Sequence, residues 1–327
     1  MIRRRDFIKL LGGAATAWPL AARAQQQAIP LVGYLGGATQ QASERFVAAF
    51  RKGLSETGYV EHQNVTVEYR FGDGHYDRLP ALAAELAGRQ PAVIYAEGIP
   101  SARAVKSLTT TIPIVFAFGE VPVQEGIVDS MNKPSANITG FSHFTNQLIG
   151  KRLALLCEIV PQASALAYLT DANNPISEPD AKAARVAAAA LGRQLDVMTV
   201  ANAREVEGAF TTMAQRKIEA VTVDPAPFFL DVREEIISLA AGHRIPAIYD
   251  QSLFTQSGGL ASYGADRVDA ARQAGAYAGR ILNGAKPAEL PVQQATKIDF
   301  VINLKTAKAL GLDIPPTVVA RADEVIE

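Results

Sequence analysis

The sequence predicts an α/β protein made of two similar lobes, each built on a parallel sheet. Short apolar runs rich in β-branched residues alternate with longer helical patterns along nearly the whole chain of 327 residues, and this alternation is typical of βαβ units. The same order of elements recurs about 130 residues later, and a constant offset between repeated units indicates two related domains. The length agrees, because a domain typically takes roughly 100–200 residues.

The first lobe is predicted to begin with a strand and an amphipathic helix. Phe46, Phe50 and Leu54 fall on one face of that helix, as helical periodicity requires. Pro100 suits the first turn of a later helix, where the missing backbone N–H costs nothing. The predicted strands are 31–35, 65–71, 92–96 and 112–118, and the predicted helices are 43–57, 76–89 and 100–108.

The second lobe repeats this order after an Asn- and Pro-rich segment, 131–143, that is predicted to cross between the lobes. After the repeat, a further strand near 258–264, a helix over 266–282 and a strand-forming stretch over 290–302 remain. The chain would therefore cross back and return, and three crossovers would form the hinge. The predicted strands of the repeat are 165–169, 195–200, 220–223 and 247–249, and its helices are 178–191, 203–216 and 230–243.

These elements predict discontinuous lobes. The N-terminal lobe is expected to contain residues 29–141 and 258–287, and the C-terminal lobe residues 142–257 and 288–327. A single eight-unit βα barrel is the alternative, and the Pro- and Asn-rich crossover and the long C-terminal tail disfavour it.

Residues 1–24 are predicted to be a bacterial twin-arginine signal peptide. Arg3, Arg4 and Arg5 precede an apolar run over 10–22, and a small-x-small cleavage site ends at Ala24. The apolar run is shorter than the ~20 residues of a membrane-spanning helix, which disfavours a membrane anchor. We therefore expect cleavage near Ala24 and a mature protein that is free in the periplasm.

The composition argues against several classes of function. The chain has 32 Lys and Arg against 33 Asp and Glu, so the basic surface of a nucleic-acid-binding protein is not expected. Its single cysteine, Cys157, has no partner for an internal disulfide. The four histidines lack metal-ligand spacing, and Gly36-Gly37 lacks the third glycine of a dinucleotide fingerprint. We therefore predict no metal and no cofactor.

Stretches spread over nearly the whole chain carry a family resemblance. They include VAAFRKGL at 47–54, GYVEHQNV at 58–65, YDRLPALA at 76–83, TIPIVF at 111–116, NITG at 137–140, KRLALL at 151–156, IPAIY at 245–249 and INLKTAKALGL at 302–312. Together they resemble the periplasmic substrate-binding proteins of bacterial ABC transporters, in the subgroup similar to tryptophan- and tyrosine-binding components. The resemblance implies the type I periplasmic-binding fold, in which two Rossmann-like lobes joined by a three-strand hinge close on a ligand between them. It also implies solute uptake, a membrane permease as partner and a monomeric protein.

Two loops depart from the pattern of that family. Glu120 lies in a Gly-Glu-Val-Pro loop where the family usually reads Gly-Asp-Pro-Val, and Gly98 lies in a Glu-Gly-Ile-Pro loop in place of a Gly- and Thr-rich one. Both loops would face the ligand. The solute is therefore predicted as a small amino-acid-like or aromatic carboxylate molecule and no more narrowly.

Candidate ligand contacts lie in the loops that follow strands, because ligands of open α/β sheets bind outside the carboxyl ends of the strands. N–H groups and hydroxyls at helix N-termini suit a carboxylate, and acidic side chains suit an amine. The predicted ligand-binding residues are Thr39, Gly98, Ser101, Glu120, Asp171, Asn173, Asn174, Asp224, Phe228 and Tyr263. Structural alternatives stay open for several of them: Asp171 and Asp224 as helix caps, Asn173 and Asn174 as turn formers, and Phe228 as a core contact.

A second hypothesis comes from another class of function. An exported two-domain α/β enzyme would place its active site in the same cleft and use Asp171 or Asp224 as a base. A twin-arginine signal, which often accompanies redox enzymes, favours this hypothesis. The lack of a cofactor fingerprint or nucleophile motif disfavours it, and the leading hypothesis predicts no catalytic residue.

Overall fold

The computed structural model describes residues 29–134, 137–295 and 297–327, and the predicted signal peptide lies outside them. The described chain forms two separate open sheets, one of six strands and one of seven. Helices cover both sheets, as α/β architecture requires. The single-barrel alternative is wrong, and the prediction of two α/β lobes is confirmed.

The first sheet is parallel throughout and has the order β11-β5-β4-β3-β1-β2. Its strands are β1 (Leu31–Gly36), β2 (Thr66–Phe71), β3 (Val93–Glu97), β4 (Ile114–Phe118), β5 (Ile138–Ser142) and β11 (Gln293–Gln294). The helices of this lobe are α1 (Gln40–Glu56), α2 (Leu79–Gly88), α3 (Ile99–Leu108) and α10 (Arg267–Leu282). Phe50 and Leu54 of α1 pack with Ala274 and Tyr277 of α10 in one buried cluster.

The second sheet has the order β13-β12-β10-β9-β8-β6-β7, and its β10–β12 pair is antiparallel. Its strands are β6 (Ala165–Asp171), β7 (Gln194–Val200), β8 (Ala220–Val223), β9 (Ala247–Tyr249), β10 (Ala261–Ala265), β12 (Ile298–Asn303) and β13 (Glu324–Ile326). The helices of this lobe are α4 (Ile149–Ile159), α5 (Ser177–Ala190), α6 (Ala203–Gln215), α7 (Phe228–Asp231), α8 (Arg233–Gly242), α9 (Ser252–Gln256), α11 (Leu304–Leu310) and α12 (Pro316–Val319).

The segment predicted as the first crossover contains a strand. Residues 138–142 form β5, all five of them are buried, and β5 pairs with β4 and β11 in the first sheet. Gly140 and the neighbouring Asn and Pro residues obscure the strand pattern in the sequence. The crossover itself is therefore shorter than predicted and begins at His143.

The C-terminal elements also divide differently from the predicted boundaries. Strand β10 lies in the second sheet, beside β9, although residues 258–287 were expected in the first lobe. Strand β11 lies in the first sheet, although residues 288–327 were expected in the second. The difference at β10 has a simple cause. Strand β10 pairs in parallel with β9 of the second sheet, and the chain crosses to the first lobe only after β10.

The chain passes between the lobes at three places, between β5 and α4, between β10 and α10, and between β11 and β12. This is the three-strand hinge that the sequence predicts. The lobes also share apolar contact beside the hinge, because Phe46 of α1 and Ala271 of α10 join the buried cluster of the second lobe.

Candidate functional site

The carboxyl ends of both sheets face each other across a cleft beside the hinge. A cavity of about 30 Å³ remains between the lobes, whereas ligand pockets typically measure 300–1,000 Å³. The two lobes therefore lie close together in this structure. Loops from both lobes and two of the hinge crossings line the cavity.

The loop after β3 forms one wall of the cavity. Gly98 joins β3 directly to α3 with a φ of +82°, a conformation that favours glycine. Its N–H donates to the carbonyl of Ala117 at 2.9 Å, and Pro100 occupies the first turn of α3. The backbone of this wall is therefore fixed by local sequence.

The loop after β4 brings an acidic side chain into the cavity wall. Glu120 is only 9% exposed, and its Oε2 has no hydrogen-bond partner within the described residues. Burial is the largest cause that raises the pKa of Glu120 to about 8, and the nearby charges of Asp180 and Glu125 add to it. Arg267 opposes this shift only weakly.

The first hinge crossing supplies polar groups to the same cavity. His143 and Asn146 line it, and His143 Nδ1 lies 2.8 Å from the Thr145 hydroxyl. Burial holds the pKa of His143 well below its usual range, so its ring is neutral at pH 7. Arg152 of α4, which is 0% exposed, donates to the carbonyl of Thr145 at 3.0 Å and fixes this crossing from behind.

The second hinge crossing places a cation in the cleft. Arg267 is the first residue of α10, lines the cavity and is 10% exposed in its side chain. Its Nη1 lies 3.4 Å from Asp250 Oδ2 at the end of β9, and its guanidinium stands 5.5 Å from the ring centre of Phe46. The charge is thus oriented by both lobes, and a guanidinium in such a setting suits a carboxylate.

The carboxylates of the second lobe lie behind the cavity wall. Asp224 accepts hydrogen bonds from Tyr168 at 2.6 Å and from Thr170 at 3.1 Å. Burial and the neighbouring charge of Asp180 raise the pKa of Asp224 well above its usual range. Asn146 of the cavity wall donates to Asp180 and so connects the cavity to this carboxyl pair.

Three of the predicted ligand-binding residues line the cavity, and seven do not. Those in the wall are Gly98, Glu120 and Asn174. Asn173 is exposed, does not line the cavity and donates to the carbonyl of Ala201. Ser101 is fully buried inside the first turn of α3.

The other predicted residues have structural partners that occupy them. Asp224 is held by the hydroxyls named above, which leaves it behind the cavity wall. Tyr263 packs against the ring of Phe300 within the second sheet, and Phe228 packs beside Phe229. Thr39 and Asp171 each form a hydrogen bond between the lobes instead.

Sequence reasoning missed Arg267, His143 and Asn146. All three lie on hinge crossings, whereas the predicted residues, apart from Tyr263, lie in strand-to-helix loops within each lobe. A usable signal exists for Arg267, because it opens a helix directly after a strand and follows the helix cap Asp266. A basic residue at a helix N-terminus opposes the helix dipole, which indicates another role for it.

The described ranges contain no cluster of three or more potential metal-ligating side chains. None of the helices described is both long and apolar enough to cross a membrane.

Comparison with known proteins identifies the scaffold. Residues 39–326 match the family model described as ABC transporter substrate binding protein. A tyrosine-binding protein of Clostridioides difficile is 25% identical over 263 residues, which cover 80% of this chain and 75% of that protein.

Two solved structures share the fold over 91% of this chain and the whole of theirs. One is a conserved domain protein of Vibrio cholerae, with 26% identity and a TM-score of 0.83. The other is an ABC domain of Streptococcus pneumoniae in complex with L-Trp, with 23% identity and a TM-score of 0.81.

The predicted type I periplasmic-binding fold is therefore confirmed, together with the family. Members of this family are binding proteins that typically work outside the cytoplasmic membrane. The two lobes, the three-crossing hinge and the polar cleft are the parts that such a protein needs, and the chain belongs to the family of ABC transporter substrate-binding proteins, which take up a small molecule and present it to a membrane permease.

Proposed function

We propose that the cleft binds a small amino-acid-like or aromatic carboxylate solute. Two similar proteins support this class of ligand, because one is a tyrosine-binding protein and the other has a structure in complex with L-Trp. Closure of the lobes over the solute would create the surface that the permease recognises, because a ligand that contacts both lobes shifts the hinge equilibrium toward the closed form.

The observation that carries this proposal is the position of Arg267. Its guanidinium is nearly buried, lies in the cavity wall and has an ion pair with Asp250 that is long, at 3.4 Å. A planar guanidinium offers five N–H donors, and one long ion pair leaves most of them for a ligand carboxylate. We assign Arg267 as the carboxylate anchor.

The same proposal includes the setting in which the protein works. The twin-arginine pattern of residues 1–24 supports export, cleavage near Ala24 and a periplasmic location. A monomer suits a protein whose two lobes both meet the permease. Asp171 and Asp224, the candidate bases of an enzyme, are bonded to Tyr76 and Tyr168, and we propose binding without turnover.

A thermal-shift screen followed by calorimetry tests this function. The purified protein is screened with L-tyrosine, L-tryptophan, L-phenylalanine, benzoate and phenylacetate, and a true ligand raises the unfolding temperature by mass action. The ligand should be recovered unchanged after prolonged incubation, as mass spectrometry can show. Failure of every compound to bind would contradict the proposed ligand class, and a chemically altered ligand would contradict binding without turnover.

A further inference from the structure

The surroundings of Glu120 indicate which chemical group of the ligand it binds. The backbone of this residue is fixed, because the Ser142 hydroxyl donates to its carbonyl oxygen at 2.7 Å. The preceding residue, Gly119, is also confined, since a Cβ there would lie 2.5 Å from Asn146 Oδ1. The carboxyl group is therefore held in the cavity wall and cannot turn away from the cleft by a loop movement at low cost.

The carboxyl group of Glu120 has one oxygen without a partner in the part of the chain that the structure describes. A buried polar group in this position costs free energy unless it is hydrogen-bonded, and a buried charge costs more. Nearly all other acidic groups around the cleft are satisfied: Tyr34 donates to Glu97 at 2.7 Å, and Arg267 pairs with Asp250. Glu120 differs from them because its Oε2 has no partner among the described residues and the side chain lines the cavity, where a ligand can supply one.

The charges that face Glu120 favour a cationic partner. Asp180 at the start of α5 and Glu125 in the loop after β4 are both acidic and raise its pKa. The His143 ring is neutral at pH 7, and Arg267, the one cation that lowers the pKa, is the weakest of the causes. With a pKa of about 8, Glu120 is protonated in the free protein at pH 7.

From this geometry we propose, on the basis of the function proposed above, that the ligand is an α-amino acid whose ammonium group binds the Glu120 carboxylate while its carboxylate binds Arg267. Glu120 then determines specificity, because it separates amino acids from carboxylic acids of the same shape that lack the amine. Binding displaces the proton of Glu120 to the solvent, so the buried carboxylate forms only together with its ammonium partner. At Glu120 the charge is balanced, since one proton leaves as one ammonium group arrives, and the ligand carboxylate is paired with Arg267.

Matched ligand pairs test the specificity. L-Tyrosine is compared with hydroxyphenylpropionate, and L-tryptophan with indolepropionate, because each pair differs only in the amine. A hydrogen bond to a charged group contributes about 1.5–3 kcal/mol, so the amino acid should bind between about tenfold and a hundredfold more tightly. Equal affinity within both pairs would overturn the inference and leave the proposed carboxylate-binding function intact. Binding of neither member of any pair, together with no binding of benzoate or phenylacetate, would instead show that the proposed function itself fails.

Calorimetry in buffers with different heats of ionisation tests whether ligand binding releases a proton. At pH 7 a group with a pKa of about 8 is about 90% protonated, so binding of the amino acid should release about 0.9 proton. The association constant should correspondingly rise close to tenfold from pH 6 to pH 7. A binding enthalpy that does not depend on the buffer would overturn the proton release.

The variant Glu120→Gln tests whether the carboxylate of Glu120, and not the size of its side chain, recognises the amine. It keeps the size of the side chain, should lower the affinity for the amino acid tenfold or more and should abolish proton release, while the deaminated acid binds as before. Glu234→Gln is the matched control, because Glu234 is exposed on α8 and pairs only with Arg233 at 3.4 Å. Equal losses for both members of a ligand pair in Glu120→Gln would indicate damage to the cleft and overturn the assigned role.

Discussion

The Tyr76 hydroxyl of the first lobe donates a hydrogen bond of 3.0 Å to Asp171 of the second lobe. A second bond of this kind links Thr39 at the start of α1 to Asp231, which accepts from the Thr39 N–H at 3.1 Å and from its hydroxyl at 2.5 Å. None of these four residues lines the cavity. The two contacts therefore stabilise the closed arrangement without contacting the ligand.

Removing the hydrogen bond between Tyr76 and Asp171 should weaken ligand binding, because it makes closure of the lobes less favourable. Tyr76→Phe deletes one interlobe hydrogen bond, worth about 1 kcal/mol, and should raise the dissociation constant about fivefold because closure becomes less favourable. Titration calorimetry measures this change. Tyr59→Phe is the control, since the Tyr59 hydroxyl bonds Asn283 within one lobe at 3.1 Å. If both variants bind like the wild type, the contact does not influence closure.

Replacing Arg267 with lysine should weaken the binding of ligand carboxylates. Arg267→Lys keeps the positive charge but loses the planar donor pair, and it should weaken binding of every carboxylate ligand by tenfold or more. Arg280→Lys is the matched control on the same helix, because Arg280 is exposed and lies against Tyr277. Unchanged affinity in Arg267→Lys would assign the carboxylate to another group.

The ligand-free protein should lose stability as the pH rises from about 5 to 8. Burial raises the pKa of Glu120 from 4.5 to about 8 and raises those of Asp180 and Asp224 as well. The folded state therefore holds protons on these carboxyls that the unfolded state has lost, so the free energy of unfolding falls, by about 1.4 kcal/mol per pH unit for one such group. Buried His143, whose pKa is lowered, acts in the opposite direction below about pH 6.5 and offsets only one of these groups.

Thermal unfolding across this pH range measures the effect. Glu120→Gln should flatten the dependence between pH 6 and pH 8, where Glu120 contributes most. An unfolding temperature that rises steadily with pH over this range would contradict the assigned direction.

Close packing of α1 on α10 should make Gly53 intolerant of a side chain. A Cβ at Gly53 would lie 1.8 Å from the carbonyl oxygen of Arg272, so Gly53→Ala should destabilise the protein by about 3 kcal/mol, the upper part of the range for overpacking. At Gly208 within α6 no atom lies within 4 Å of such a Cβ, and Gly208→Ala should stabilise by roughly 1 kcal/mol. Urea unfolding compares the two, and shifts of the same sign would contradict the packing argument.

The fold was largely predictable because its signals are local. The strand at 220–223 and the strand at 247–249 have the bounds expected from their β-branched and apolar residues. Strand β5 was not predictable in this way, since Gly140 and the neighbouring Asn and Pro residues obscure its pattern and its second partner, β11, consists of two exposed glutamines about 150 residues later. The third crossover depends on that same pairing.

The site was less predictable than the fold, because which side chains line the cleft depends on partners that sequence does not show. Asp224 and Glu120 both follow buried strands, yet Tyr168 and Thr170 occupy the first, whereas the second keeps a carboxylate oxygen without a partner in the described segments. Nothing in the sequence around Asp224 indicates that two hydroxyls of β6 reach it. For Arg267 the sequence offers only its unfavourable position at a helix N-terminus, and its place in the cleft depends on the hinge crossing.

The exchange of segments between the lobes also affects how the nascent chain can fold. The apolar face of α1 is covered by α10, which ends at Leu282, and the second sheet is completed by β12 and β13, which end at Ile326. Each lobe is built from two segments that are separated in the sequence, and contacts between distant parts of a sequence form slowly. The apolar face of α1 therefore stays uncovered until α10 has been synthesised, more than 200 residues after α1 has left the ribosome.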